Sequence, residues 1–196
     1  EKKIIKYSEE GGVYSVIIEP YSASLLESCS DNFMKKLFEL KNKYNFKIIF
    51  DEVFTGFFKS KKMFYFQNFN NITPDIICLS KTLGGGKSSI SCLVIDDQTY
   101  TEAYSSINET FLHTTTYNGF GEESITALAA LNILAEKDFK NKVEELSNLL
   151  TSKLKNLFEK YPDKIEKIKG NGILNGIIFK SYPSSIAKFM EKIPSN

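Results

Sequence analysis

Four short runs of apolar, mostly β-branched residues in the first half of the chain constrain its fold more than any other feature. They span residues 12–19, 46–51, 75–79 and 90–95. Each run is largely continuous rather than alternating, which is typical of strands buried on both faces of a sheet. We therefore predict an α/β fold with a mostly parallel sheet and helices on both of its faces.

Helical patterns lie between and after these runs. Ser30 or Asp31 can cap a helix that continues to about Tyr44. Further along, the pattern predicts an Ala/Leu-rich helix buried on most sides at 122–137, an amphipathic helix at 138–161, a strand–turn–strand unit at 165–179 and a last short helix at 184–193. We predict that residues 1–137 form part of a large domain. Residues 138–196 would supply a linking helix and the start of a small α+β domain.

Charge and composition argue against several classes of partner. Lys and Arg number 25 and Asp and Glu 24, and a net charge of +1 predicts neither a nucleic-acid nor a membrane partner. All 25 basic residues are lysine, which excludes bidentate arginine recognition of a carboxylate or phosphate within this chain. Three scattered cysteines and one histidine predict no metal site and no disulfide framework. With neither a transmembrane run nor a signal-peptide pattern, we expect a reducing, cytoplasmic setting.

A nucleotide-binding ATPase is one interpretation of the middle of the chain. Residues 47–52 resemble a strand ending in an acidic pair for Mg²⁺, and residues 84–88 resemble the end of a phosphate-binding loop. That loop requires a glycine at position 81, where this chain has lysine. The acidic strand also precedes the glycine loop, which is the wrong order. We therefore set this interpretation aside.

Asp51 and Lys81 indicate a different chemistry. Asp51 ends one predicted strand and Lys81 follows another by two residues, and ligands of open parallel sheets bind beyond the carboxyl ends of strands. A lysine with a carboxylate that partners a pyridine nitrogen suits pyridoxal 5′-phosphate (PLP). The glycines at 84–86 would let the backbone approach such a cofactor closely. Spacing alone leaves open that Asp51 is a solvated strand end and Lys81 a surface lysine.

Several motifs follow one another along most of the chain. Residues 48–86 contain Asp-Glu-Val-x-Thr-Gly-Phe, then Thr-Pro-Asp-Ile, then a lysine followed closely by three glycines. Around them lie Ile-Ile-Glu-Pro at 17–20, a His-Thr-Thr-Thr-Tyr-x-Gly segment within 111–121, and Lys-Gly-x-Gly-Ile-x-x-Gly-Ile within 168–177. In order and spacing this set resembles the class III PLP-dependent aminotransferases, the ornithine, acetylornithine and ω-amino-acid type.

The resemblance implies a fold type I PLP enzyme that exchanges an amino group between an amino acid or amine and a 2-oxo acid. By position, it implies that Lys81 binds the cofactor covalently and that Asp51 pairs with the pyridine nitrogen. It also implies that Val53 packs beneath the cofactor ring. Thr116 would reach the phosphate in the partner subunit's site, so the functional unit would be a homodimer. His113 falls in the same segment, and we interpret it as structural.

The chain also departs from the family pattern. Phe54 replaces a glutamine that usually bonds the cofactor's phenolic oxygen, and Lys59 replaces an arginine. Because family members exceed 400 residues, we expect a central to C-terminal piece of a longer protein, inactive as the isolated 196-residue chain. An aminomutase or racemase of the same fold, and a non-catalytic module of this fold, remain alternatives.

Overall fold

The computed structural model describes residues 2–109, 113–119 and 121–180. Within them the strands are β1 (Ser15–Ile18), β2 (Tyr21–Ser22), β3 (Glu27–Ser28), β4 (Lys47–Asp51), β5 (Ile76–Leu79), β6 (Cys92–Ile95), β7 (Ile165–Asn171) and β8 (Leu174–Phe179). The α-helices are α1 (Lys2–Glu9), α2 (Asp31–Tyr44), α3 (Asp97–Ala103), α4 (Gly121–Leu134) and α5 (Lys137–Lys160). Short 3₁₀ helices lie at Tyr65–Asn68, Lys81–Gly84 and Ile107–Glu109. The helix predicted at 184–193 falls outside the described residues.

The central sheet has the order β1-β4-β5-β6. β1, β4 and β5 run parallel, and β6 runs antiparallel to β5. The predicted mostly parallel α/β sheet is therefore confirmed. β6 reverses direction because a glycine-rich loop, rather than a crossover helix, connects it to β5, and parallel neighbours need a crossover.

One face of the sheet carries the core. Ile48 and Phe50 of β4 and Ile77 and Leu79 of β5 are buried, and the register pairs Phe50 with Ile77 on the same face. These residues belong to two clusters, and the ring of Phe66 packs against both of them. Burial of such large apolar side chains stabilises the fold by about 1.5–3 kcal/mol each.

The opposite face is partly open in the described residues. Ile17 of β1 is 63% exposed and Leu93 of β6 is 43% exposed. Ile49 and Ile76, on the strands between them, are only half-buried. A face this apolar favours association with further protein surface.

Helix α2 shows how local chemistry sets an element's ends. Ser30 is the N-cap, and its hydroxyl accepts a hydrogen bond of 3.2 Å from the backbone N–H of Phe33. Asn45 ends the helix in the left-handed conformation that asparagine tolerates. The spacing of Phe33, Leu37 and Leu40 predicts the core-facing side of this helix. Leu37 and Leu40 do face the core, but Met34 joins them there and Phe33 is 37% exposed.

Helix α4 departs from the prediction of burial on most sides. Within it only Ala127 and Leu134 are buried, whereas Ile125 is 72% exposed and Leu128 60% exposed. That prediction was wrong for the described residues. An Ala/Leu-rich sequence allows a helix to be buried, but whether it is buried depends on which other segments pack against it.

The predicted strand–turn–strand unit is confirmed as the β7–β8 hairpin. Its tip contacts the loop after β4, because the N–H of Ile173 donates to the carbonyl oxygen of Lys59 at 2.9 Å. Gly172 lies against the same carbonyl with φ +64°, and a Cβ on Gly172 would lie 2.2 Å from that oxygen. The division into units at 1–137 and 138–196 stays a prediction.

Candidate active site at the carboxyl ends of β4 and β5

The structure brings Asp51 close to the segment that carries Lys81. Asp51, the last residue of β4, is the register partner of Cys78 in β5. Neighbouring strands lie about 4.8 Å apart. Lys81 follows Cys78 by three residues and opens the 3₁₀ helix after β5. Both side chains thus leave the same edge of the sheet, as the sequence predicts.

Asp51 is half-buried and its carboxylate is held by the loop that follows it. Oδ1 accepts a hydrogen bond of 3.0 Å from the backbone N–H of Val53. This contact orients the carboxylate and also places Val53 directly beside it. The structure therefore joins two of the four predicted site residues.

Lys81 has an unusual backbone. Its φ is +49°, in the left-handed region that non-glycine residues adopt at a cost of about 1–2 kcal/mol. Among the described lysines, only Lys61 shares a positive φ. Its side chain is exposed, and Nζ lies 5.2 Å from the centroid of the Phe54 ring. Such strain is concentrated at functional sites, so it is an independent reason to single out Lys81.

Glu52 is a residue whose role the sequence analysis did not identify. It is fully buried and accepts hydrogen bonds from the hydroxyl of Thr55 and from the N–H groups of Tyr65 (2.9 Å) and Phe66 (2.8 Å). Burial raises the pKa of the Glu52 carboxyl, and these hydrogen bonds oppose the rise. Glu52 therefore shapes the loop beside the site, and the adjacent acidic pair in the sequence was the available signal.

Lys59 is a second amine near the site. Its Nζ donates to the carbonyl oxygen of Gly56 at 3.2 Å. Burial and the nearby charge of Lys81 lower the pKa of Lys59 from 10.5 to about 8, and the charge of Glu52 opposes this shift. In the sequence, Lys59 stands out only as a substitution for arginine.

Asp75 of the Thr-Pro-Asp motif has a structural role. Its two carboxylate oxygens accept from Nζ of Lys41 at 2.7 Å and from the N–H of Ile48 at 2.6 Å. These bonds tie the start of β5 to α2 and β4. The motif therefore fixes the strand on which Lys81 depends.

Thr116 and His113 are both exposed, in residues 113–119, and neither lines the cleft next to Lys81. The assignment of Thr116 to the partner subunit's site stays a prediction.

A cleft of about 450 Å³ is lined by Lys81, the glycine loop and apolar α4 residues, but not by Asp51. The described residues thus form walls of a site rather than a closed pocket.

The described residues contain no helix with the length and apolarity needed to cross a membrane. They also contain no group of three or more His, Cys, Asp or Glu side chains placed to bind a metal ion.

Comparison with known proteins adds a family match. The model of the class-III aminotransferase family matches residues 2–194. Ornithine aminotransferase of Plasmodium yoelii is 26% identical, with a TM-score of 0.74 over 91% of this chain and 46% of that one. Acetylornithine aminotransferase of Elizabethkingia anophelis is also 26% identical, with a TM-score of 0.77 over 96% of this chain and 46% of its own.

A more distant structure shares the fold. It is the taurine:2-oxoglutarate aminotransferase of Bifidobacterium kashiwanohense, solved with PLP and glutamate. It is 21% identical, with a TM-score of 0.78 over 97% of this chain and 45% of its own length. The chain thus spans less than half the length of each of these three proteins.

Proposed function

This chain belongs to the class-III aminotransferase family, and from that premise we propose that the protein carrying it transfers an amino group between an amino acid or amine and a 2-oxo acid. One observation supports this proposal above the others. The register of β4 and β5 puts Asp51 beside the strand that leads to Lys81, whose backbone is strained. An acid and an amine at one sheet edge are the two groups that this chemistry requires.

PLP fits the groups present at this edge. When bound, PLP supplies an electron sink that allows the substrate α-carbon to lose a proton. Lys81 would hold the cofactor covalently through Nζ, which is exposed and forms no ion pair within the described residues. The Asp51 carboxylate would keep a proton on the pyridine nitrogen. Its Val53 hydrogen bond leaves further lone pairs for that contact.

Proton transfer would be carried out by Lys81. With its amine free, Nζ of Lys81 would accept the proton from the substrate α-carbon as general base and later donate a proton as general acid. Val53 would pack beneath the ring, next to the carboxylate that it already contacts. The proposal thus assigns Lys81 and Asp51 to catalysis and Val53 to cofactor binding.

The remaining parts of the proposal extend beyond this chain. We propose a homodimer in which Thr116 contributes to the phosphate site of the partner subunit. Residues 1–137 would belong to the PLP-binding large domain and residues 138–196 to the linking helix and small domain. The protein would act in the cytoplasm, and the isolated 196 residues would be inactive.

A product assay with a labelled amino donor tests the proposed reaction. Purified protein carrying this chain should convert donor and 2-oxo acid to new amino acid only when both are present. Turnover of the donor without any 2-oxo acid would instead indicate an isomerase. The same protein should show an absorbance band of the bound cofactor near the short-wavelength limit of the visible range, and borohydride treatment should remove this band. Absence of both the band and amino transfer would indicate a non-catalytic module.

A further inference from the structure

The ammonium group of Lys81 has a specific aromatic neighbour. Its Nζ lies 5.2 Å from the centroid of the Phe54 ring, within the range of a cation–π contact. Phe54 is partly buried and packs against the core cluster that contains Phe50. The ring is therefore held by the protein interior, whereas the lysine side chain is exposed. The contact therefore places the ammonium of an exposed lysine over a ring that the core holds in place.

Lys59 is a second positive charge near this contact. Its ammonium is anchored to the carbonyl oxygen of Gly56, and the charge of Lys81 acts on it. Two like charges repel, and neither lysine forms an ion pair among the residues that the structure describes. The ring face of Phe54 is the attractive contact that the structure gives the Lys81 ammonium.

We propose that Phe54 is a positioning residue for Lys81, and that the face of the Phe54 ring holds the Lys81 ammonium at the carboxyl ends of β4 and β5 until the cofactor binds. The inference rests on the proposed function only for what Lys81 does afterwards. An amine held against the ring is less free to reach a reacting carbonyl carbon. Phe54 therefore restrains the nucleophile as well as placing it.

The reactivity of Lys81 itself tests this role without any cofactor. The protein carrying this chain is freed of cofactor and acetylated with limiting acetic anhydride, and peptide mass spectrometry gives the rate at each lysine. The ratio of Lys81 to exposed Lys87 serves as an internal reference. At about pH 7.5, Phe54→Leu should raise this ratio about two- to fivefold, because the ring no longer holds the Lys81 side chain.

Two further variants separate the ring's charge effect from packing. Phe54→Tyr keeps the aromatic face and should leave the ratio near that of the parent protein. Phe58→Leu removes a neighbouring ring that packs on Phe139, and should also leave it unchanged.

Two results would overturn the proposal. They are an unchanged ratio in Phe54→Leu and an equal increase in Phe54→Tyr. Failure of the proposed function would appear separately, as the absence of borohydride-reducible cofactor in the parent protein.

Discussion

Asp51 and Cys78 are direct partners in the parallel ladder between β4 and β5. This pairing sets the distance between the acidic end of one strand and the lysine that follows the other. A slip of one residue would turn Asp51 to the opposite face of the sheet, because side chains alternate along a strand. The register of two short strands therefore decides whether the acid and the amine can act together.

Replacement of Lys81 by alanine should abolish both cofactor attachment and amino transfer. The reason is that alanine lacks the amine through which Lys81 would bond the cofactor and transfer the proton. The measurement is borohydride reduction followed by peptide mapping, with a transamination assay alongside. Lys87→Ala, in the same loop, should retain both properties. Reducible cofactor that persists in Lys81→Ala would show that another lysine is used.

Replacement of Asp51 by asparagine should reduce the rate of amino transfer by roughly 100-fold or more and leave the cofactor attached. A neutral amide cannot hold the proton on the pyridine nitrogen, so the electron sink is lost while Lys81 is intact. Steady-state kinetics with absorbance of the bound cofactor tests this. Asp97→Asn, on the exposed first turn of α3, is the matched control. A rate within about threefold of the parent would exclude the assignment.

Replacement of Glu52 by glutamine should lower the free energy of unfolding by about 1–3 kcal/mol. The Glu52 carboxylate accepts from two backbone N–H groups through different oxygens, and an amide turns an N–H₂ group towards one of these donors. Urea unfolding monitored by circular dichroism gives the change. Glu39→Gln, at an exposed position on α2, should change stability by less than about 0.5 kcal/mol. Equal midpoints for the two variants would contradict this role of Glu52.

Lys59 predicts a pH dependence of stability. Its pKa is lowered to about 8 in the folded protein, so between about pH 8 and 10.5 the unfolded state binds more protons. The penalty for burying its charge is fully present below pH 8 and is relieved as the pH rises through this window. Stability attributable to Lys59 should thus increase with pH, by about 1–2 kcal/mol after allowing for solvent at a half-buried group.

Unfolding free energies of the parent and of Lys59→Met at about pH 7 and about pH 10 test this sign. The parent should gain stability relative to Lys59→Met as the pH rises. Lys87→Met should follow the parent at both values. A difference between parent and Lys59→Met that is independent of pH would show that the Lys59 amine titrates normally.

Replacement of Gly172 by alanine should destabilise the contact between the β7–β8 hairpin and the loop after β4. The new Cβ would meet the Lys59 carbonyl oxygen at 2.2 Å, in addition to the strain of a positive φ. Gly11→Ala is the matched control, because Gly11 has φ +74° and nothing within 4 Å of the added Cβ. Gly11→Ala should cost about 1 kcal/mol from strain alone, and Gly172→Ala clearly more. Equal losses of stability would mean that the hairpin tip moves freely away from Lys59.

Several elements could be predicted from the sequence because their causes are local. The Ser30 cap and the spacing of Leu37 and Leu40 predicted α2, and they act within a few residues of one another. The β7–β8 hairpin followed from a short apolar run interrupted by glycines. Motif order also predicted the family, since residues 48–86 carry their signature without reference to any contact.

Only the tertiary structure decided how distant segments meet. The sequence singled out Asp51 but not the role of its neighbour Glu52, which is buried under the loop, because that role depends on hydrogen bonds to the distant residues Tyr65 and Phe66. The contact of Gly172 with Lys59 and the cation–π contact of Lys81 with Phe54 join residues far apart in the chain. Local patterning determines which elements form, whereas long-range packing determines which side chains share one edge of the sheet.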